Sequence, residues 1–210
     1  MILHGYWRSG TSYRTRIALN LKGLTYEQRG VDLRQGDQRS EAFLRLNPQG
    51  LVPALEVEGA VLTQSPAILE WLEETYPTPP LLPSDPLVRA QVRAMAALIG
   101  CDIHPLNNLR VGKALREGFG ADQAAVDGWA ARWIVPGFEA LEALVATHGR
   151  GWCFGDAPTL ADCYLIPQIY SARRFNVPLD GFPRLLAIEA ASGAHPAFQA
   201  AHPDNQPDAD

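Results

Sequence analysis

Apolar positions in the first part of the chain recur with two alternating periods. Ile2 to Tyr6 form a short apolar run of strand character, and from Ser12 to Leu21 the residues Tyr13, Ile17, Ala18 and Leu21 return at helical spacing. Tyr26 to Val31 predict a second strand. Ser40 opens a short helix carrying Phe43, Leu44 and Leu46, and Asn47-Pro48 ends it, because the residue before a proline is pushed out of helical geometry. The apolar runs Leu51 to Val57 and Ala60 to Thr63, separated by Glu58-Gly59, predict a hairpin. Pro53 heads its first strand, where no ladder bond is given up. Gln64-Ser65-Pro66 starts a further helix, with Ser65 expected as N-cap, Pro66 at the first helical position, and Ile68, Leu69 and Leu72 inward.

Five prolines between Tyr76 and Pro86 exclude a continued helix and mark a linker. Beyond it the strand signals stop. Helical patterns run over 87–109, 121–147, 160–175 and 184–191. Thr159 and Asp162 have the spacing of a capping box with Asp in place of Glu, so Asp162 is read as structural. His202 to Asp210, rich in Pro and Asp, reads as a loosely packed tail. The expected organisation is therefore an α/β domain over 1–80 with the order βαβαββα, the end of a proline-rich linker at 81–86, and an all-α domain over 87–210.

Composition narrows the function classes. With 47% hydrophobic and 20% charged residues the chain has the balance of a soluble globular protein, and a net charge of −5 argues against nucleic-acid binding by bulk charge. No apolar run reaches the ~20 residues of a membrane span, and no signal-peptide pattern opens the chain, so a cytoplasmic location is expected. Cys101, Cys153 and Cys163 are odd in number and widely spaced, which favours free thiols over a metal site or a disulfide framework.

The stretch from Tyr6 to Arg14 holds the candidate chemistry. It joins a strand to a helix through Ser9, Gly10, Thr11 and Ser12. A helix N-terminus offers unpaired N–H groups and partial positive charge, so a thiolate, phosphate or carboxylate is stabilised there. Simple capping is the commoner use of such hydroxyls, and on these residues alone it is preferred.

Three stretches in order change that balance: Ser9 to Leu19, Asn47-Pro48 with Val52-Pro53-Ala54-Leu55, and Gln64-Ser65 with Ala67-Ile68, followed by a proline linker and a helical half. Together they resemble a cytosolic glutathione transferase of the zeta class, whose members include glutathione-dependent maleylacetoacetate and maleylpyruvate isomerases. The similarity extends through Tyr76-Pro77-Thr78-Pro79, Asn107-Asn108, Gly155-Asp156, Pro167-Gln168, Arg174-Phe175 and Gln206-Pro207-Asp208. Trp7 to Ser12 and Gly100 to Pro105 are most similar to the bacterial maleylpyruvate isomerases. The zeta-class Ser-Ser-Cys is replaced by Ser9-Gly10-Thr11, so a mechanism needing a protein thiol at that place is unsupported, whereas one using only the thiol of glutathione is unaffected.

The resemblance implies a thioredoxin-like α/β domain that binds glutathione and a helical domain that completes the substrate site. Ser9, then Thr11, are the implied thiolate donors, with Gly10 in the same turn. Val52 and Pro53, through a cis bond, are implied to present main-chain groups to the cysteinyl backbone. Ser65 and Gln64, with Gln49 as a further contact, face the γ-glutamyl carboxylate. His104, Asn107 and Asn108 are further glutathione candidates, and a structural role for His104 is equally compatible with the sequence. The cis-enoic substrates carry two acidic or enolisable groups, which Arg8 and Arg174 are expected to hold, with Arg110 as a third candidate. Arg14 and Arg16 are expected to cover the helix surface and pair with carboxylates.

The implied reaction is isomerisation of maleylpyruvate to fumarylpyruvate in gentisate-type catabolism, by addition of the glutathione thiolate, rotation and expulsion. Alternatives are maleylacetoacetate isomerisation in homogentisate catabolism, general conjugation of electrophiles, and a non-catalytic association module. A homodimer is implied, and neither nucleic acid nor membrane is an expected partner.

Overall fold

The structure, a computed structural model describing residues 1–209, divides into two compact units: residues 1–81 with 193–209, and residues 82–192.

The first unit is built on a four-stranded mixed sheet in the order β2-β1-β3-β4. Strand β1 (Ile2–Gly5) leads through α1 (Gly10–Leu21) to the parallel strand β2 (Glu27–Gly30). After α2 (Glu41–Leu46), β3 (Ala54–Val57) pairs antiparallel with β1, and β4 (Ala60–Thr63) closes the hairpin on β3. The hairpin turn falls at Glu58-Gly59, both at positive φ. Helix α3 (Ser65–Thr75) follows and packs with α1. Ala54 and Leu55 are adjacent in β3 and both wholly buried, so both sheet faces are covered. Phe43 of α2 packs on the Ala54 face with Val31.

A buried ion pair fixes the far end of this unit. The Lys22 ammonium donates to Glu73 Oε2 at 2.5 Å and to the Pro79 carbonyl at 2.7 Å, and Glu73 Oε2 also accepts from Leu81 N–H at 3.0 Å. The end of α1, helix α3 and the proline-rich segment are thereby joined at one buried carboxylate.

The second unit contains α4 (Pro86–Ala97), α5 (Leu109–Phe119), α6 (Gln123–His148), α7 (Leu160–Arg174) and α8 (Pro183–Ala194), whose last two residues already belong to the first unit. Helix α7 is the central element, buried from Leu160 to Ile169. Its start carries the expected capping box, extended by one bond: Asp162 accepts from Thr159 N–H at 2.7 Å, Thr159 Oγ1–H at 2.8 Å and Cys153 N–H at 2.8 Å. Burial raises the Asp162 carboxyl above its ordinary value, opposed by those hydrogen bonds. Gly137 in α6 admits Ile103, whose Cδ1 would lie 2.3 Å from an added Cβ.

Three expectations are corrected. The first long helix does not run to residue 109. Pro105 has no N–H for the ladder, so α4 gives way to a π turn over Leu98–Ile103 and a 3-10 turn over His104–Leu106, and Asn108 caps the separate helix α5. The described residues from Gly193 onward group with the first unit, not with the helical one, and the stretch from His202 is not a loose tail, since Gln206 is buried and Asp208 accepts from Trp7 N–H. Helix α9 (Pro196–Ala201) packs on α1 with Phe198 and Ala201 buried, because α1 is apolar on more than one side and needs a second cover. Finally, Arg14 and Arg16 are not surface residues but buried ones, at 2% and 0% exposure.

Candidate functional site

The turn between β1 and α1 is closed by Ser9 N–H donating to the Tyr6 carbonyl at 3.0 Å. Ser9 has extended backbone geometry and its Oγ accepts from Ser12 N–H at 3.3 Å, so it caps α1 as an Ncap serine should. Gly10 is the first helical residue. Thr11 Oγ1–H donates to the Val52 carbonyl at 2.9 Å, and Ser9 Oγ lies 2.9 Å from Thr11 Oγ1. A carbonyl can only accept, and a hydroxyl has one proton. Thr11 has therefore spent its proton on Val52, and the Ser9 proton is the one that points to Thr11 and is able to turn elsewhere.

Val52-Pro53 is cis, as expected. The Val52 carbonyl is engaged by Thr11 and keeps one further lone pair. Ser65 was expected as the N-cap of α3 and is instead its first helical residue; the cap position is Gln64, at φ 67°, with no side-chain cap bond. The Ser65 hydroxyl is buried and accepts from Arg14 Nη1–H at 3.1 Å. Its own proton is directed away from that guanidinium. The Gln64 amide donates to Gln49 Oε1, and the Asn47 side chain braces this loop by accepting from Gln49 N–H at 3.1 Å and donating to the Leu51 carbonyl at 2.7 Å. Ser9, Thr11 and Val52 are thus linked in one hydrogen-bond chain, Gln49 and Gln64 in another, and the starts of α1 and α3 both belong to the unit that holds them. Arg8 is half-buried in the turn, its guanidinium 5.1 Å from the centre of the Trp7 ring.

The other candidates lie in the helical unit. His104 opens the 3-10 turn and is half-buried. Asn107 is buried, with neither amide atom hydrogen-bonded among the described residues. The Asn108 side chain is engaged locally: its Oδ1 accepts from Arg110 N–H and Val111 N–H, and its Nδ2–H donates to the Pro105 carbonyl at 3.1 Å. This makes Asn108 a helix cap, which leaves it less to offer a ligand than the sequence reading assumed. Arg110 in the first turn of α5 and Arg174 at the end of α7 are exposed.

Sequence reasoning overlooked three residues that support the site: Arg14 behind Ser65, Arg16, and Asp208, whose carboxylate accepts from Trp7 N–H. A signal existed for the arginines. Ile17, Ala18 and Leu19 follow Arg16 directly and spread apolar side chains over more than half of the helix circumference, a weak sign that little polar face is left.

With this geometry in view, similarity to known proteins is decisive. The profile for the glutathione S-transferase N-terminal domain matches residues 8–75, and that for the glutathione S-transferase C-terminal domain matches residues 123–191. The chain belongs to the glutathione S-transferase family. Among relatives of this transferase, a maleylpyruvate isomerase from Ralstonia sp is 56% identical over 211 residues, covering 99% of each chain. A maleylacetoacetate isomerase from Pseudomonas aeruginosa is 54% identical, covering 99% of this chain and 98% of the relative. The holo structure of a maleylpyruvate isomerase, described as a bacterial zeta-class glutathione S-transferase, superimposes with TM-score 0.98 at 55% identity, covering 100% of both chains. A maleylacetoacetate isomerase from Anaeromyxobacter dehalogenans, solved with bound dicarboxyethyl glutathione and citrate, gives TM-score 0.89 at 45% identity over 100% of this chain and 93% of that one.

Proposed function

We propose that this transferase is a glutathione-dependent cis–trans isomerase converting maleylpyruvate to fumarylpyruvate. The observation that carries the reading is the hydrogen-bond chain Ser9–Thr11–Val52 at the start of α1, in a protein 56% identical along its length to a maleylpyruvate isomerase. The donor set suits the tripeptide. A redirectable hydroxyl proton at a helix start fits a thiolate, the Val52 peptide edge beside cis Pro53 fits the cysteinyl main chain, and the Ser65 hydroxyl at the start of α3 fits the γ-glutamyl carboxylate. Bound glutathione supplies a thiolate that adds to the substrate double bond and leaves again unconsumed.

The protein's own part is electrostatic and geometric. Ser9 turns its proton from Thr11 to the sulfur and, with the α1 N-terminus, lowers the thiol from its free value near ~8.5 towards neutral pH. Thr11 keeps the Val52 carbonyl oriented. Gln64, Gln49 and Ser65 hold the γ-glutamyl end, and His104 and Asn107 are assigned to the same ligand. Arg8 takes one acid group of the substrate and stabilises the enolate charge that develops on addition. Arg174, with Arg110 as the second choice, is assigned to the other acid group. No protein cysteine is required, and Ser9-Gly10-Thr11 carries none. We assign the active form to a homodimer and its location to the cytoplasm, where thiols are kept reduced. Among the described residues no helix is long and apolar enough to cross a membrane.

Maleylacetoacetate is the second reading, favoured by the 54% identical Pseudomonas aeruginosa relative. The two are separated by kcat/KM for each substrate on one enzyme preparation, beside a general electrophile. The proposal expects maleylpyruvate to lead; a lead for maleylacetoacetate selects the second reading, and conjugation of the electrophile without either isomerisation rejects both.

A further inference from the structure

The turn carrying Arg8 and Ser9 leaves two main-chain groups that it cannot itself satisfy. Ser9 N–H bonds the Tyr6 carbonyl, so the N–H and C=O of Trp7, the second residue of the turn, have no partner within it. Trp7 is 7% exposed, and buried main-chain groups require partners. Both are supplied in concert with the returning C-terminal segment. Trp7 N–H donates to Asp208 Oδ2 at 2.9 Å. The Trp7 carbonyl accepts from Arg16 Nη2–H at 2.8 Å, and Arg16 Nε–H donates to the Ala201 carbonyl at 3.0 Å. The other oxygen of Asp208 accepts from Gln28 Nε2–H at 2.7 Å, which anchors the carboxylate to β2. Gly30 leaves the space: a Cβ there would lie 3.1 Å from Asp208 Cβ.

We propose that Asp208, acting with Arg16, is a positioning residue for thiol activation: it fixes the Tyr6–Ser9 turn so that the Ser9 hydroxyl stands where it donates to the glutathione thiolate. This rests on the glutathione reading above. Asp208 touches no reacting atom. It holds Trp7, and Trp7 holds the two residues that follow it.

The test is titration of the thiol of bound glutathione, followed by the ultraviolet absorbance of the thiolate, together with glutathione affinity and melting temperature. In Asp208→Ala the thiolate fraction at neutral pH should fall about tenfold, a shift of about one pKa unit. In Asp208→Asn it should stay within about twofold of wild type, because the amide oxygen still accepts from Trp7 N–H and Gln28 can present its own oxygen to the amide. Gly30→Ala, which crowds Asp208 without touching the turn, should shift the titration in the same direction and add little in the Asp208→Ala background. A lower melting temperature with an unmoved titration in Asp208→Ala, or failure of Asp208→Asn to restore it, overturns the positioning role. If Asp208→Ala does not fold, the Gly30→Ala titration decides alone. A wild-type protein that leaves the glutathione thiol at its free value overturns the functional reading, and this inference with it.

Discussion

Replacing Ser9 removes two interactions of different size that can be read separately. Its Oγ caps α1 by accepting from Ser12 N–H, and its proton is the one we assign to the thiolate. Loss of an N-cap serine to alanine costs about 1 kcal/mol and to glycine only a few tenths, so at ~2–4 °C per kcal/mol Ser9→Ala should melt a few degrees lower and Ser9→Gly almost unchanged. Loss of a hydrogen bond to a charged group costs about 1.5–3 kcal/mol, or roughly 1–2 units in the thiol pKa. Both variants should therefore lose about 10- to 100-fold in kcat/KM at neutral pH and recover much of it as pH rises towards ~9, where free thiols ionise. The assay is the pH profile of kcat/KM for Ser9→Ala, Ser9→Gly and Thr11→Val, beside their melting temperatures. Thr11→Val should disturb the Val52 carbonyl, raising KM for glutathione more than it moves the pH profile. An unmoved profile in both Ser9 variants, with a shifted one in Thr11→Val, would transfer the donor role to Thr11 and refute the proton count on which the assignment rests.

Further outcomes are expected elsewhere. Arg174→Ala should remove most isomerase activity while leaving glutathione affinity, measured by calorimetry, nearly intact; parallel loss of both contradicts a substrate role. Lys22→Met leaves the Glu73 carboxylate buried without its ammonium, which costs about 3–5 kcal/mol in a denaturant titration, and a loss below ~1 kcal/mol would show the pair to be dispensable. Asp162→Ala orphans three donors and should lower the melting temperature by roughly 10 °C. Because burial raises the Asp162 carboxyl, the native state binds its proton more tightly than the unfolded chain. This group's contribution therefore falls as pH rises from the unfolded value towards the raised folded one. Asp162→Asn should flatten that part of the stability–pH curve, and an unchanged slope argues against the shift.

Local signals in the sequence transferred well to the structure where one residue type performs one task. Ser9 and Ser40 cap their helices, Glu58-Gly59 turns the hairpin, and Thr159 with Asp162 forms the capping box. Ser65 shows the limit of such signals. The same serine that suits an N-cap sits one residue inside the helix: Gln64 takes the cap position, and the Ser65 oxygen accepts from Arg14 of α1. Buried arginines are hard to foresee, since their partners, main-chain carbonyls and a hydroxyl, leave no complementary charge in the sequence. Pro105 announced the break after α4, but the continuing apolar pattern around Ile99 and Ile103 masked it. The polar composition of the C-terminal segment concealed its packing. Phe198 and Ala201 supply apolar contact with the α/β unit, and Asp208 reaches it as a hydrogen-bond acceptor, which composition does not register.

The central claim is that the protein turns over a cis-enoic diacid by means of a thiolate held at the start of α1. The most direct test is the rate of maleylpyruvate isomerisation by the purified protein with and without glutathione. The account predicts rapid formation of the trans isomer only when glutathione is present, with the glutathione concentration unchanged at the end. Turnover without glutathione, or stoichiometric consumption of it without isomerisation, would contradict the account.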